Sequence, residues 1–187
     1  MQTIEEIKSY LKANLKEKRY VHTLGVADTA KKLARINGVS EEKAEIAGLI
    51  HDIAKNLPKE IMQEIIEENN ILLSEVEKNN SDLWHSIIGP IVAKEKLNID
   101  DDEILSAMRW HTTGKENMST LEKILYIADM IEPSRNFDGV KEIREITFKD
   151  LDKGVILGLT HSIKFLLTKD LLIDINTIKA RNYFLFK

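Results

Sequence analysis

The chain has 187 residues, a formal net charge of −4 at pH 7, no cysteine, 43% hydrophobic residues and 31% charged residues. This length suits one domain with a sizeable core, and the composition indicates a globular protein. The lack of cysteine excludes disulfides and thiolate metal sites, and the acidic balance argues against a general nucleic-acid binder. The N-terminus has no signal-peptide pattern and no apolar run approaches the ~20 residues that span a bilayer, so we expect a cytoplasmic protein.

Helix start and stop signals follow one another from the beginning of the chain. Thr3 with Glu6 forms a capping box, which predicts a first helix to about Leu15. A second helix follows the segment 16–19, in which three of the four residues are basic, and Gly38 is placed to end it. On this second helix an arginine and a histidine three positions apart share one face.

The third predicted helix carries a histidine and an aspartate side by side. Ser40 caps this helix, and His51 and Asp52 lie within its apolar run. Buried ionisable groups are costly unless they are paired or bind a metal, so these two are candidate ligands for a divalent cation. Taken alone, the dipeptide would more often be a hydrogen-bonded core histidine next to a helix-end aspartate.

The middle of the chain also predicts short helices. We expect a helix over residues 59–68 after Pro58, and a short turn opened by Ser74. Asp82 is a candidate cap for the next helix, which Pro90 should kink or restart because proline cannot donate a backbone hydrogen bond.

Capping boxes predict two more helices, over 101–110 and 121–132, the first opened by Asp100. His111 falls at the end of the first helix, and Asp129 lies inside the apolar run of the second. No strand, repeat or linker is visible, so we predict a single all-α domain. The remaining predicted helices lie near 140–146, 151–167 and 177–186.

Four histidines on separate predicted elements, together with two carboxylates in apolar surroundings, form a candidate metal site. Four imidazoles and two carboxylates can supply one or two octahedral metals of the iron or manganese type, whereas zinc usually takes fewer ligands. His161, the fifth histidine, has ordinary helical neighbours and is assigned a structural role. The candidate ligands are His22, His51, Asp52, His85, His111 and Asp129.

The order of these residues resembles the H…HD…D signature of the HD-domain superfamily of metal-dependent phosphohydrolases. Three segments are similar to the YqeK family, whose members are symmetrical bis(5'-nucleosyl)-tetraphosphatases that hydrolyse diadenosine tetraphosphate to two ADP. These segments are HDIAK at 51–55, WHTTG at 110–114 and KILYIADMIEPSR at 123–135.

This resemblance implies an HD-domain helical bundle that fills residues 1–187. The core motifs would lie within 19–139, and the C-terminal helices of 140–187 would complete the bundle. The C-terminal third carries no motif of its own.

The resemblance also implies how the ligands are shared. His22, His51, Asp52 and Asp129 would hold one metal, and Asp52 would bridge to a second metal held with His85 and His111. The expected cofactor is two iron ions, with manganese or another divalent metal as alternatives. Two metals about 3.5–4 Å apart activate a shared water, so the expected nucleophile is a metal-bound hydroxide.

Basic and polar residues close to these ligands are candidates for holding phosphate. Asp52, Lys55 and Arg135 are the catalytic candidates, because Lys55 lies one turn after the His-Asp pair and an arginine can grip phosphate with two donors. For the lysines the alternative is an ordinary solvated surface position. The substrate-binding candidates are Arg19, Lys55, Thr112, Thr113, Gly114, Lys115, Lys123, Tyr126 and Arg135.

Two alternatives to a dinucleoside tetraphosphatase remain open. One is another HD-type hydrolase that acts on a nucleoside mono- or triphosphate, and the other is a non-catalytic nucleotide-sensing module. In each case the expected partner is a small nucleotide, with no nucleic acid and no membrane. The sequence leaves open the native metal, the base preference and the oligomeric state, for which a homodimer is one option.

Overall fold

The structure, a computed structural model, describes residues 2–186, and these contain helices and no strand. The prediction of an all-α fold is therefore confirmed. The α-helices are α1 (Ile4–Asn14), α2 (Glu17–Asn37), α3 (Glu41–Ile50), α4 (Lys59–Glu68), α5 (Glu75–Asn79), α6 (Trp84–Leu97), α7 (Asp102–Trp110), α8 (Thr120–Ile131), α9 (Val140–Thr147), α10 (Leu151–Thr168) and α11 (Ile175–Phe186).

Most helix ends lie where the local signals predict them. The side chains of Thr3, Ser74 and Ser119 each accept a hydrogen bond from the backbone N–H three residues later, and all three form complete capping boxes. Gly38 ends α2 with φ at 68°, a left-handed conformation that glycine adopts without steric cost. These signals act within one turn of the chain, so tertiary packing does not override them.

Three local predictions are wrong. Asn80, and not Asp82, caps the short 3-10 turn that leads into α6, because the Asn80 side chain accepts from the Asp82 N–H. α6 then runs without interruption through Pro90. α7 is capped by Asp101, whose carboxylate accepts two backbone N–H groups, and not by Asp100.

The helix that should carry the His-Asp pair ends earlier than predicted. α3 stops at Ile50, and residues 51–56 form consecutive turns. His51 keeps helical backbone angles at the C-cap, whereas Asp52 already lies in the turns. Both residues are buried, with His51 fully inaccessible to solvent.

α8 is the central helix of the bundle. It packs against α2, α3, α7, α9 and α10. Four residues on successive turns of α8 are fully buried, which leaves this helix little polar surface. They are Ile124, Leu125, Ile127 and Ala128. Asp129, on the same helix, is therefore surrounded by neighbouring helices on most sides.

A close contact between α2 and α3 brings two of the histidines together. A Cβ atom at Gly48 would lie 2.6 Å from Cα of Ala27, so no other residue fits at this crossing. α3 consequently lies directly on α2. This contact places His51 beside His22.

α10 and α11 close the other side of the bundle. α10 packs against α8 and α9, and α11 packs against α10. Val155 and Leu159 on the inner face of α10 are fully buried. Among the described helices, none is both long and apolar enough to cross a bilayer.

Candidate metal centre

All four predicted histidine ligands meet in one buried cluster. His22 comes from α2, His51 follows α3, His85 lies in the first turn of α6 and His111 ends α7. Each is at most 7% exposed. The bundle thus brings together residues that lie far apart in sequence.

The carboxylate of Asp52 lies between two pairs of these histidines. Its Oδ2 atom is 3.3 Å from Nε2 of His51 and 4.0 Å from Nε2 of His22. Its Oδ1 atom is 3.2 Å from Nε2 of His85 and 3.8 Å from Nε2 of His111. One carboxylate therefore presents one oxygen to each pair, which is the arrangement that a bridging ligand needs.

Asp129 belongs to only one of the two pairs. Its Oδ1 atom lies 3.0 Å from Nε2 of His22 and 3.9 Å from Nε2 of His51. The ligand atoms of His22, His51 and Asp129 all lie within 4.8 Å of one another, as do those of His51, Asp52 and His111. Such spacing suits coordination by a common cation.

Backbone carbonyls fix how three of the histidine rings are protonated. Nδ1 of His51, His85 and His111 lies 2.7–2.8 Å from the carbonyl oxygen of the residue three positions earlier. A carbonyl only accepts hydrogen bonds, so Nδ1 carries the proton and Nε2 keeps a lone pair. All three lone pairs then face the carboxylate of Asp52.

His22 is oriented by a carboxylate instead. Its Nδ1 atom lies 3.0 Å from Oε1 of Glu132, which is 1% exposed. Glu132 in turn accepts hydrogen bonds from the backbone N–H and the hydroxyl of Ser134. A carboxylate behind a ligating histidine fixes the ring and raises its basicity as a ligand.

The donor set fits a divalent metal. Nε2 of His22 and of His51 is buried and forms no hydrogen bond within residues 2–186. Both atoms face carboxylate oxygens, so lone pairs converge with no proton between them. Such an arrangement is costly unless a cation is bound, and imidazole with carboxylate is a common ligand set for iron, manganese and zinc.

The charge states of Asp52 and His111 agree with this role. Burial disfavours the ionised form of Asp52, but His51 and His85 outweigh it and hold the pKa of Asp52 well below its usual range. Burial is the main cause that lowers the pKa of His111, to about 3. At neutral pH the carboxylate is charged and His111 is neutral, which are the forms that bind metal.

Two arginines hold the carboxylates from outside. Nη1 of Arg19 lies 2.6 Å from Oδ2 of Asp52, and Nη2 of Arg135 lies 2.5 Å from Oδ1 of Asp129. Burial opposes ionisation of Asp129, but the contact with His22 and the charges of His51 and Arg135 prevail, so its pKa is lowered. Both guanidinium groups are partly exposed and present further donors to solvent.

Lys55 lies next to His85, whereas Arg19 contacts Asp52. Its Nζ atom is 3.3 Å from the carbonyl oxygen of Asp82 and 3.2 Å from Nδ1 of His85. Lys55 therefore stands directly behind a ligand and borders open space. The structure places Arg19, Lys55 and Arg135 next to residues of the cluster.

A cavity of about 610 Å³ opens onto the cluster, and we call it the α10 cavity. Its inner end reaches His111 and Asp129, and Lys55 and Arg135 stand at its sides. Thr112, Thr113 and Tyr126, three of the residues predicted to bind substrate, also line it. This volume lies within the range of small-molecule sites.

Four predicted substrate-binding residues do not reach this cavity: Arg19, Gly114, Lys115 and Lys123. Arg19 instead contacts Asp52. Lys115 pairs with buried Glu122 at 3.2 Å, and Lys123 pairs with Asp152 at 2.5 Å. Gly114 turns with φ at 67°, and its N–H bonds to the carbonyl of Trp110, so it is not free to meet an anion. Their spacing in the sequence placed these residues near the ligands but could not show which way they face in the folded protein.

The outer wall of the cavity comes from the C-terminal third, where the sequence offered no motif. His161 lies on α10 and packs against the ring of Phe137, with ring centroids 4.4 Å apart. The hydroxyl groups of Ser162 and Tyr126 form a hydrogen bond, with 3.3 Å between the two oxygens. The structural role expected for His161 is therefore incomplete, because its side chain also lines the α10 cavity.

Comparison with known proteins agrees with this geometry. The HD domain family profile matches residues 19–134. Proteins named symmetrical bis(5'-nucleosyl)-tetraphosphatase are similar to the chain: that of Bacillus subtilis is 40% identical over 89% of each chain. The one from Halalkalibacterium halodurans is 39% identical, covering 95% of this chain and 94% of the relative.

A solved structure has the same fold. It is a crystal structure from Clostridium acetobutylicum described as a predicted HD superfamily hydrolase involved in NAD metabolism. It superposes with a TM-score of 0.95 at 47% sequence identity, covering 100% of this chain and 98% of the other. The chain therefore belongs to the HD-domain family, alongside relatives that carry the name symmetrical bis(5'-nucleosyl)-tetraphosphatase.

Proposed function

We propose that this chain is a metal-dependent hydrolase of dinucleoside polyphosphates and that its main reaction splits diadenosine tetraphosphate into two ADP. The position of Asp52 carries this proposal, because its two oxygens face two histidine pairs at the inner end of a cavity. Relatives with 37–40% identity that are named symmetrical bis(5'-nucleosyl)-tetraphosphatase support the choice of substrate.

The proposed cofactor is a pair of divalent ions, two iron ions in the first instance, with manganese or another divalent metal as alternatives. His22, His51, Asp52 and Asp129 would hold one ion. Asp52, His85 and His111 would hold the other. When bound, such ions lower the pKa of a water and polarise phosphoryl oxygens.

Cationic side chains at the cluster bind the polyphosphate. Arg135 offers a planar set of donors, of which Nε and Nη2 already bond to Asp129 and the others remain for phosphate. Its loop is fixed by Arg144, which donates to the backbone carbonyls of Ile131 and Glu132. Lys55 also lines the cavity and supplies a second positive charge.

The α10 cavity binds one nucleoside. Its wall is largely apolar, and Lys55 and Arg135 stand at its sides, which matches a base and ribose followed by phosphates. With a nucleoside diphosphate in this position, the second phosphorus from the nucleoside lies at the cluster. Water adds its oxygen to that phosphorus, the bond to the third phosphate breaks, and the second ADP leaves.

A substrate panel with metal analysis tests this proposal. The purified chain with added iron or manganese should convert diadenosine tetraphosphate to ADP as the sole nucleotide product. Preferred turnover of a nucleoside mono- or triphosphate would identify a different HD hydrolase. Tight nucleotide binding with no turnover would identify a sensing module. The reaction is expected in the cytoplasm, with no nucleic-acid or membrane partner.

A further inference from the structure

A second cavity reaches the same cluster from the other side. It has a volume of about 800 Å³, and His22 lies at its inner end. We call it the basic groove, and its lining includes Lys16, Lys18, Arg19, Asn56, Ser134 and Asn136. Arg135 and Phe137 line both this groove and the α10 cavity. A chain of phosphates that crosses the cluster would therefore pass from one cavity into the other beside Arg135.

The two cavities differ in chemistry. The α10 cavity has an apolar wall that includes Leu83, Met130, Phe165, Leu166, Leu171 and Leu172. In the basic groove the only apolar lining residues within the described chain are Val21 and Phe137, and Phe137 already packs against His161. The α10 cavity thus offers many more apolar side chains to a nucleoside than the groove does.

The charge of the groove suits phosphate. Four cations line it, and of its two acidic residues Glu132 is buried behind His22. Lys16 and Lys18 are exposed, and neither forms an ion pair within residues 2–186. Cations without acidic partners are free to bind an anion that enters the groove.

From this difference, which rests on the proposed function, we propose that the two halves of a dinucleoside tetraphosphate bind at unlike subsites. One nucleoside diphosphate occupies the α10 cavity. The other half lies in the basic groove, where only its phosphates are bound. The second nucleoside is therefore dispensable, and the chain also hydrolyses nucleoside 5'-tetraphosphates.

The reaction of adenosine 5'-tetraphosphate follows the same course. Water adds its oxygen to the second phosphorus from adenosine. The bond between the second phosphorus and the oxygen that bridges to the third breaks, and pyrophosphate leaves from the groove. The products are ADP and pyrophosphate in equal amounts, with one proton released from the water.

The test compares adenosine 5'-tetraphosphate with diadenosine tetraphosphate on the metal-loaded protein. We expect kcat/KM for the two substrates to agree within about 10-fold. Adenosine 5'-tetraphosphate lacks the second nucleoside, and loss of its contacts should cost at most about 1.4 kcal/mol, which corresponds to that factor. A value more than about 1,000-fold lower for adenosine 5'-tetraphosphate would overturn the proposal, because the groove would then recognise the second nucleoside.

Substitution of the groove lysines is the second part of this test. The double variant Lys16→Ala with Lys18→Ala should lower kcat/KM for both substrates by about 3- to 30-fold, as expected for the loss of two exposed charge contacts. This decrease should be smaller at high salt, which screens exposed charges. Calorimetry should show weaker binding of pyrophosphate but unchanged binding of ADP. Lys96→Ala with Lys149→Ala, which removes two exposed lysines outside both cavities, should change neither.

The outcomes separate this inference from the proposed function. If diadenosine tetraphosphate yields ADP while adenosine 5'-tetraphosphate is inert, the subsite assignment is wrong and the proposed function stands. If both are cleaved but the groove variant matches its control, the leaving half lies elsewhere, and the assignment is again wrong. If diadenosine tetraphosphate itself is not cleaved, the proposed function fails.

Discussion

Nδ1 of His22 lies 3.0 Å from Oε1 of Glu132, a residue 110 positions later in the sequence. This contact joins the N-terminal half of the bundle to the loop after α8. It also links a candidate metal ligand to the segment that carries Arg135. The orientation of His22 therefore depends on a residue that is not itself a candidate metal ligand.

Glu132→Gln should weaken metal binding without removing a ligand. The neutral amide no longer stabilises the His22 ring as a carboxylate does, and loss of such a partner typically costs about 10- to 100-fold in metal affinity. Metal affinity measured by chelator competition checks this. Glu122→Gln, a buried glutamate that caps α8, should leave metal affinity unchanged. Equal affinities for all three proteins would contradict the role given to Glu132.

Gly25→Ala tests the same contact from the other partner. A Cβ atom at position 25 would lie 2.7 Å from Oε2 of Glu132, so the carboxylate must move. We expect a loss of metal affinity in the same direction as in Glu132→Gln. Gly89→Ala is the control, because its nearest neighbour would be 3.5 Å away.

Asp52→Asn should reduce metal binding by both histidine pairs at once. Each pair faces one oxygen of this carboxylate, and an amide is a poor bridge between hard cations. Elemental analysis and turnover are the measurements, with turnover expected to fall by more than about 100-fold. Because His161 lies on the cavity wall and not in the cluster, His161→Ala should keep its metal. Full metal content and normal turnover in Asp52→Asn would rule out the bridging role.

Arg135→Ala should lower kcat/KM while leaving metal content intact. One charge-assisted contact to phosphate is worth about 1.5–3 kcal/mol, which corresponds to about 10- to 150-fold. Lys55→Ala should behave in the same way. Steady-state kinetics with metal analysis are the check, and Arg35→Ala, which removes an arginine that pairs with Glu41 on the surface, is the control. Unchanged kinetics in both variants would remove these residues from the site.

Glu77 makes the stability of the fold depend on pH. It is buried, it caps α5 and it pairs with Arg109 at 2.8 Å. Burial opposes its ionisation, but the bonds to Ser74 and the charge of Arg109 prevail and lower its pKa. The contribution of Glu77 to the free energy of unfolding is therefore complete above its pKa in the unfolded chain, about 4.3. It is lost as the pH falls through the lower pKa of Glu77 in the folded protein.

Urea unfolding of the protein and of Glu77→Gln measures this effect. At pH 7 the variant should be less stable by about 1.5–3 kcal/mol, the usual worth of a hydrogen bond to a charged group. The difference should shrink as the pH falls below about 4. A difference that stays constant with pH would show that the carboxylate charge does not stabilise the fold.

The sequence predicted the features that depend on local chemistry. The capping residues Thr3, Ser74 and Ser119 act on their own first turn, so their helices begin where expected. The four histidines and two carboxylates were also found, because ionisable groups in apolar surroundings need a common partner. The structure brings all six together.

Features that depend on tertiary packing were not predictable. Glu132 follows a helix and precedes a proline, and nothing local indicates that it faces a histidine on α2. His161 has ordinary helical neighbours, and only the packing of α10 brings it to the cavity. Lys115 and Lys123 were assigned by proximity along the chain, yet both point towards acidic partners.

The most direct test of the proposed function is the position of the broken bond. Diadenosine tetraphosphate is hydrolysed by the metal-loaded protein in oxygen-18 water, and the products are separated and weighed. We predict ADP as the only nucleotide product, with one heavy oxygen in half of the molecules, because water attacks the second phosphorus of one half. AMP and ATP in equal amounts would contradict this account, since they would place the attack at an outer phosphorus.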